Sequence, residues 1–192
     1  MSKRVFIIHG WSGRPNGKDW LPWLGTELSK RGFRASIPKM PDSDEPKIMP
    51  WIAHLKKIVG KPDKDTYFVG HSIGCQAIMR YLEQLPENQK VGGVIFVAGW
   101  FNLPYLGTEK EKKVARPWLT KPVDFAKVRK IMKKSVAIFS DNDPDVPLSD
   151  NKIFKKKFGS KIIIEHNKGH FSEDAGVKKL PAALEELLKM AK

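Results

Sequence analysis

Cysteine is almost missing from this chain. Cys75 stands alone, so no intramolecular disulfide can form, which fits a reducing, cytoplasmic setting. Long apolar runs are missing too. Met1-Ser2-Lys3-Arg4 leads into only four apolar residues, Val5 to Ile8, too few for a signal peptide or a membrane span, so no membrane partner is expected. Acidic residues are in deficit: 21 Asp and Glu face 35 Lys and Arg, a net charge of +14. Such a charge can mark a nucleic-acid or anionic-surface partner. The signatures that would accompany one (zinc spacing, a helix-turn-helix pattern, RNA-binding aromatics) are absent. The lysines are scattered in short groups, such as Lys110, Lys112 and Lys113. Nucleic acid is therefore disfavoured and a solvated basic surface favoured, with a protein partner left open. Repeats, low-complexity tracts and linkers are also lacking. The 192 residues, 41% of them apolar, suffice for one domain spanning 1–192 and are too few for two.

What is present is an alternation of strands and helices. Val5-Phe6-Ile7-Ile8 is apolar without alternation, the pattern of a parallel strand buried on both faces. Further strands are expected at 33–37, 66–69, 91–98, 135–140 and 161–164. Between them, Trp20, Trp23, Leu24 and Leu28 recur at helical spacing after a capping Asp19. Ile48, Trp51, Ile52, Leu55 and Ile58 do the same. Helices are also expected at 75–85, 124–132, 148–158 and the C-terminus, whereas 99–122 reads as irregular. Six strands joined by right-handed helical crossovers make an α/β three-layer sandwich, a parallel sheet with helices on both faces.

One stretch carries chemistry. Gly70-His71-Ser72-Ile73-Gly74 reads G-x-S-x-G between a predicted strand and a predicted helix, the context of a nucleophile elbow. A serine there sits on a sharp turn whose close strand–helix approach needs small neighbours, hence Gly70 and Gly74. The Ile73 N–H opens the helix where an oxyanion would form. Cys75 reads instead as an inert core thiol.

Ser72 needs a base and an orienting carboxylate, which in this arrangement follow in the order Ser, Asp or Glu, His on loops after later strands. After the fifth strand come Asp141, Asp143 and Asp145. Asp143 is favoured because Pro144 and Pro147 stiffen its turn, and Asp141 is the main rival. After the sixth strand come His166 and His170, of which His170 has Gly169 beside it to aim the ring. Two histidines four apart can also hold a metal, but that spacing needs a helix and an acidic third ligand, so neither metal nor cofactor is expected. The loop after the first strand, His9-Gly10-Trp11, offers the Trp11 N–H as a second oxyanion donor.

With these residues in place, the chain resembles the small single-domain serine hydrolases that include the retinoblastoma-binding serine hydrolase and the YdeN-like bacterial proteins. The resemblance spans nearly the whole chain. It rests on the elbow and on Met40-Pro41-Asp42, Arg116-Pro117-Trp118, Asp143-Pro144 with Val146-Pro147, and Gly169-His170-Phe171. It implies a minimal α/β-hydrolase sheet of strand order 2-1-3-4-5-6 without a large lid, and a triad of Ser72, Asp143 and His170. The first loop departs from the family's longer glycine run, continuing through Arg14, Pro15 and Asn16.

The expected function is serine-dependent hydrolysis of small carboxylic esters with short to medium acyl chains. The alternatives are a thioesterase, amidase or peptidase with the same triad, or a protein-interaction module on a hydrolase scaffold. Trp100, Phe101, Trp118 and Phe171 are the candidate substrate-binding residues, with at least two of the aromatics near the site expected to belong to the core.

Overall fold

The structure, a computed structural model, describes residues 2–192. Six strands, β1 (Arg4–Ile8), β2 (Arg34–Ser36), β3 (Thr66–His71), β4 (Gly93–Val97), β5 (Ser135–Ser140) and β6 (Lys161–Glu165), form one parallel sheet of order β2-β1-β3-β4-β5-β6. This is the order the family resemblance implied. The helices are α1 (Trp20–Ser29), α2 (Ile48–Val59), α3 (Ile73–Glu83), α4 (Glu109–Thr120), α5 (Phe125–Ile131), α6 (Asp150–Phe158) and α7 (Pro181–Met190). None among the described residues is long and apolar enough to cross a membrane.

The unbroken apolar runs of the strands are explained by two cores. Phe6, Ile8, Phe68, Val94, Phe96, Ala137 and Phe139 point to one face, under α2, α3, α5 and α6. Val5, Ile7, Tyr67, Val69, Ile95, Val97, Val136 and Ile138 point to the other, where they meet the apolar sides of α1 and α7. A strand buried on both faces has no polar side to alternate with.

Two expectations about element bounds change. The helix after Ser72 begins at Ile73, not Cys75. The stretch 99–122, expected to be irregular, contains the twelve-residue α4. Its start is fixed by a capping box: Thr108 Oγ1 accepts from the Glu111 N–H at 3.1 Å, and Glu111 accepts from the Thr108 N–H at 2.8 Å. The T-x-x-E signal was in the sequence, masked by the surrounding charges and by Pro117, which α4 accommodates in its last turn.

The sheet also fixes where chemistry can occur. The chain leaves β1 toward β2 on one side and returns to β3 on the other, so a crevice opens at the carboxyl ends of β1 and β3. The loops after β1, β3, β4, β5 and β6 all border that edge.

Candidate active site

Ser72 occupies the turn between β3 and α3 with φ +52° and ψ −120°. A non-glycine residue in this region costs roughly 1–3 kcal/mol, a strain that clusters at functional sites. The turn is held from both sides. The Ser72 N–H donates to Val97 O and the Cys75 N–H donates to Ser72 O, each at 2.9 Å. A Cβ on Gly74 would lie 2.4 Å from Ile8 O and 2.8 Å from His9 O. One on Gly70 would lie 2.8 Å from the Cys75 nitrogen. Both glycines are therefore required by close backbone approach. Cys75 is buried, and desolvation pushes its thiol well above the ordinary range, as an inert core thiol requires.

The loops after β5 and β6 bring together two Asp–His pairs. In one, His170 Nδ1–H donates to Asp143, at 2.9 Å to Oδ2 and 3.1 Å to Oδ1. Asp143 Oδ1 also accepts from the Asp145 and Val146 N–H groups at 2.9 and 3.0 Å, and the two side chains are only 3% and 16% exposed. In the other, His166 Nδ1 meets Asp141 Oδ2 at 2.5 Å, but this histidine is 78% exposed. His170 shares a cleft with Ser72, and His166 does not border it. Asp145 lies 3.9 Å from His170 Nδ1 and is largely exposed.

The loop carrying His170 is braced by Asn142 and Ser140, which sequence reasoning passed over, and by His71, read from the sequence as a packing or hydrogen-bonding residue beside the site. Asn142 Oδ1 accepts from the Gly169 N–H at 2.8 Å, and Ser140 Oγ accepts from the Lys168 N–H at 3.0 Å. His71 Nε2–H donates to the His170 carbonyl at 2.8 Å. Burial, reinforced by the neighbouring His170, pulls the His71 pKa down to about 3, so His71 is a neutral donor. A side chain whose partner is a backbone group about a hundred residues away leaves no local signal.

The loop after β1 is equally fixed. His9 Nδ1–H donates to Gly10 O at 2.8 Å, and His9 Nε2 accepts from the Met40 N–H at 3.2 Å. The Ser12 N–H donates to Ser43 O at 2.8 Å, and the Trp11 indole donates to Asp44 O at 3.1 Å. Among the described residues, neither the Trp11 nor the Ile73 amide donates to a protein acceptor. Both residues line the cleft.

That cleft has a volume of about 460 Å³. Trp11, Ile73, Trp100, Leu103, Tyr105 and Leu106 supply its apolar wall, and Ser12, Asp44, Lys110, Glu111 and Asp145 contribute to its polar rim. Of the four expected substrate-binding aromatics, only Trp100 borders it, so three are corrected. Phe101 packs against Phe154 and Phe125, with ring centroids 5.0 and 5.4 Å away. Trp118 is buried against Trp51. Phe171 is fully buried on the α1–α7 face, and its carbonyl accepts from the Trp20 indole at 3.0 Å. Its φ of +54° turns the backbone immediately after His170, so adjacent residues serve the cleft and the core.

Two buried polar residues hold the Trp100 wall. Asp150, at the start of α6, accepts from the Phe101 and Asn102 N–H groups at 2.6 and 3.0 Å and from Asn102 Nδ2 at 2.6 Å. Gln76 Nε2 donates to Trp100 O at 2.5 Å. Arg80 donates in turn to Gln76 Oε1 and, at 2.8 Å each, to the Trp118 and Lys121 carbonyls at the end of α4. Desolvation lowers the Arg80 pKa to about 10, so the guanidinium stays charged near neutral pH.

Among the described residues, Asp143, Asp145 and His170 form a grouping compact enough for a metal, with their donor atoms within 4.8 Å of one another. Asp143 is already engaged by His170 and two amides, so the set fits an oriented imidazole better than a metal site.

Comparisons with known proteins show the family and the fold. The family model for serine hydrolases matches residues 5–189. The chain is 32% identical over 188 residues to YdeN of Bacillus subtilis strain 168, covering 97% of this chain and 95% of that protein. It is 25% identical over 171 residues to the serine hydrolase RBBP9 of Rattus norvegicus, covering 88% and 87%. The crystal structure of the Bacillus subtilis ydeN gene product matches with a TM-score of 0.90 at 30% identity, covering 98% of each chain. A carboxylesterase structure from Nitrososphaera gargenis shares the fold, with a TM-score of 0.72 at 17% identity over 99% of this chain and 91% of that one. The matched family runs from the first strand into the last helix, through the strained serine at the elbow, and the chain belongs to the serine hydrolase family.

Proposed function

We propose that this protein is a carboxylesterase for esters of short to medium acyl chain, acting through Ser72, His170 and Asp143 by way of an acyl-enzyme. The observation that carries this reading is the pairing, across one cleft, of a strained elbow serine with a buried, doubly anchored Asp–His pair. With Nδ1–H donated to Asp143, the lone pair of His170 lies on Nε2, as a general base requires. That nitrogen takes the Ser72 proton as Oγ attacks the ester carbonyl, and Asp143 stabilises the resulting imidazolium. The Trp11 and Ile73 amides, which have no acceptor of their own among the described residues, receive the oxyanion. Collapse breaks the carbon–oxygen ester bond, and His170 returns the proton to the leaving alcohol. Water, deprotonated by the same nitrogen, then releases the acid. No hydrogen bond joins Ser72 to His170 among the described residues. Such contacts often tighten only when substrate is bound.

The test is titration with a fluorophosphonate, followed by a panel of matched p-nitrophenyl esters, thioesters and anilides. One equivalent of label on wild type, none on Ser72→Ala, and fastest turnover of the esters are expected. Failure to label overturns the mechanism, and faster thioester or anilide turnover overturns the substrate class.

A further inference from the structure

A second concavity, of about 780 Å³, lies outside the cleft, between the residues that lead into α2 and the exposed side of α4. Its floor is apolar and built to keep its shape. Pro46, Pro50 and Pro117 line it, as do Ile48, Val114 and Trp118, and proline fixes local backbone. The Trp118 indole N–H donates to Pro46 O at 2.9 Å, so the ring presents no unpaired polar group. Met49 stands at the edge, 61% exposed.

The rim carries a net positive charge, with Lys47, Lys110, Lys113 and Lys121 beside Glu45 and Glu109. Lys47, Lys113 and Lys121 border the groove and have no ion-pair partner among the described residues. Its two carboxylates are already neutralised: Glu45 pairs with Lys110 at 2.9 Å and Glu109 with Lys112 at 2.8 Å. The groove therefore offers an apolar trough beside an excess of positive charge, with Glu45 as the nearby counter-charge for Lys47 and Lys113. Its size lies within the ~300–1,000 Å³ typical of small-ligand sites. Among the described residues only Lys110 borders both the groove and the catalytic cleft, and it pairs with Glu45 of the groove.

We propose that this groove is a binding site for an anionic amphiphile, a long-chain carboxylate. Its chain lies on the Ile48, Val114, Pro117 and Trp118 floor, and its head group meets Lys113 and Lys121. Complementarity selects the ligand: the floor rewards an alkyl chain, and the rim rewards a negative head over a neutral or positive one. The site does not depend on Ser72 chemistry.

Calorimetric titration of the full chain with dodecanoate, kept below its micelle concentration, tests the proposal. Saturable one-to-one binding is expected for wild type, for Ser72→Ala and for fluorophosphonate-blocked protein. Affinity should fall at least tenfold in the Lys113→Glu/Lys121→Glu variant, with p-nitrophenyl acetate turnover unchanged. Dodecyltrimethylammonium should bind at least tenfold more weakly than dodecanoate. Each methylene removed from the chain should cost up to about fourfold in affinity while it is buried. Absence of saturable binding, equal affinity for the two head groups, or indifference to the charge reversal overturns the proposal. Loss of binding on blocking Ser72 would place the chain in the catalytic cleft and also overturn it. A dimer detected by sedimentation and dissolved by Met49→Glu would assign the groove to a second copy instead.

Discussion

The two Asp–His pairs provide an internal control for the proposed mechanism. Asp143→Asn keeps the size of the side chain and one of its two oxygens. That oxygen can still accept from the Asp145 and Val146 amides. The amide nitrogen then faces His170 Nδ1, where a carboxylate oxygen stood at 2.9 Å. Two donors cannot share that contact, so Nδ1 must become the acceptor and the ring proton moves to Nε2. His170 is then in the wrong tautomer to take the Ser72 proton, and its cation has lost its counter-charge. The equivalent change in a Ser-His-Asp template lowers kcat by ~10⁴, roughly 5–6 kcal/mol of barrier. Asp141→Asn makes the same chemical change in a pair whose histidine is 78% exposed and which lies outside the cleft. Exposed ion pairs contribute only ~0–1 kcal/mol to stability, and this one touches no reacting atom. The assay is kcat for p-nitrophenyl acetate, with thermal unfolding as the control for folding. Asp143→Asn should lose three to four orders of magnitude, and Asp141→Asn less than threefold. Retention of a tenth of wild-type kcat in the first, or a comparable collapse in the second, would refute the assignment of His170 and Asp143.

Gly74→Ala must displace either the end of β1 or the start of α3, because both nearest atoms are backbone carbonyls. We expect a loss of ~1–3 kcal/mol in chemical denaturation and, because Trp11 and Ile73 ride on the displaced segments, a fall in turnover; unchanged values of both would refute it. His71 ties stability to pH. An unfolded imidazole near 6.5 takes up a proton as pH falls, while the folded one, near 3, stays neutral. Stability is therefore fully present above about pH 6.5 and is lost as pH falls toward 3. Between pH 7 and 5 this group alone should remove about 2 kcal/mol. His71→Gln should flatten that part of the urea-midpoint profile, and an unchanged slope would count against the burial argument. Acyl length should matter only while the cleft can cover it. From acetyl to butyryl or hexanoyl, kcat/KM should rise by up to about fourfold per methylene and then flatten, whereas a steady rise to dodecanoyl would show a longer protected channel.

How legible these features were depends on the range of the physics behind them. β5 was read at its observed bounds, Ser135–Ser140, because a strand buried on both faces shows as a continuous apolar run. Ser72 was readable because its requirement is local: the backbone needs Gly70 and Gly74 within two residues of the serine. The choice among Asp141, Asp143 and Asp145 was not local. All three sit in one turn, and proline spacing together with family resemblance favoured Asp143. The structure separates them by burial and by which histidine each one faces.

The aromatic wall failed for a related reason. Hydrophobicity says that a ring will be covered, but not by which neighbours. Trp100 and Phe101 are neighbours, yet one borders the cleft and the other joins the Phe125, Phe154 and Phe158 cluster. What separates them is Asp150, whose carboxylate gathers the Phe101 and Asn102 amides from 49 and 48 residues away, and Gln76, which holds the Trp100 carbonyl. Neither side chain forms a motif with the residues it positions. Both are buried polar groups whose desolvation is offset by hydrogen bonds, those of Asp150 to Phe101 and Asn102 and those of Gln76 to the Trp100 carbonyl and to Arg80. Moving the loop would leave Asp150 as an unpaired buried carboxylate, and Arg80 without the carbonyls of Trp118 and Lys121. The wall of the cleft is thus fixed less by its own apolar residues than by the cost of leaving those distant polar groups alone.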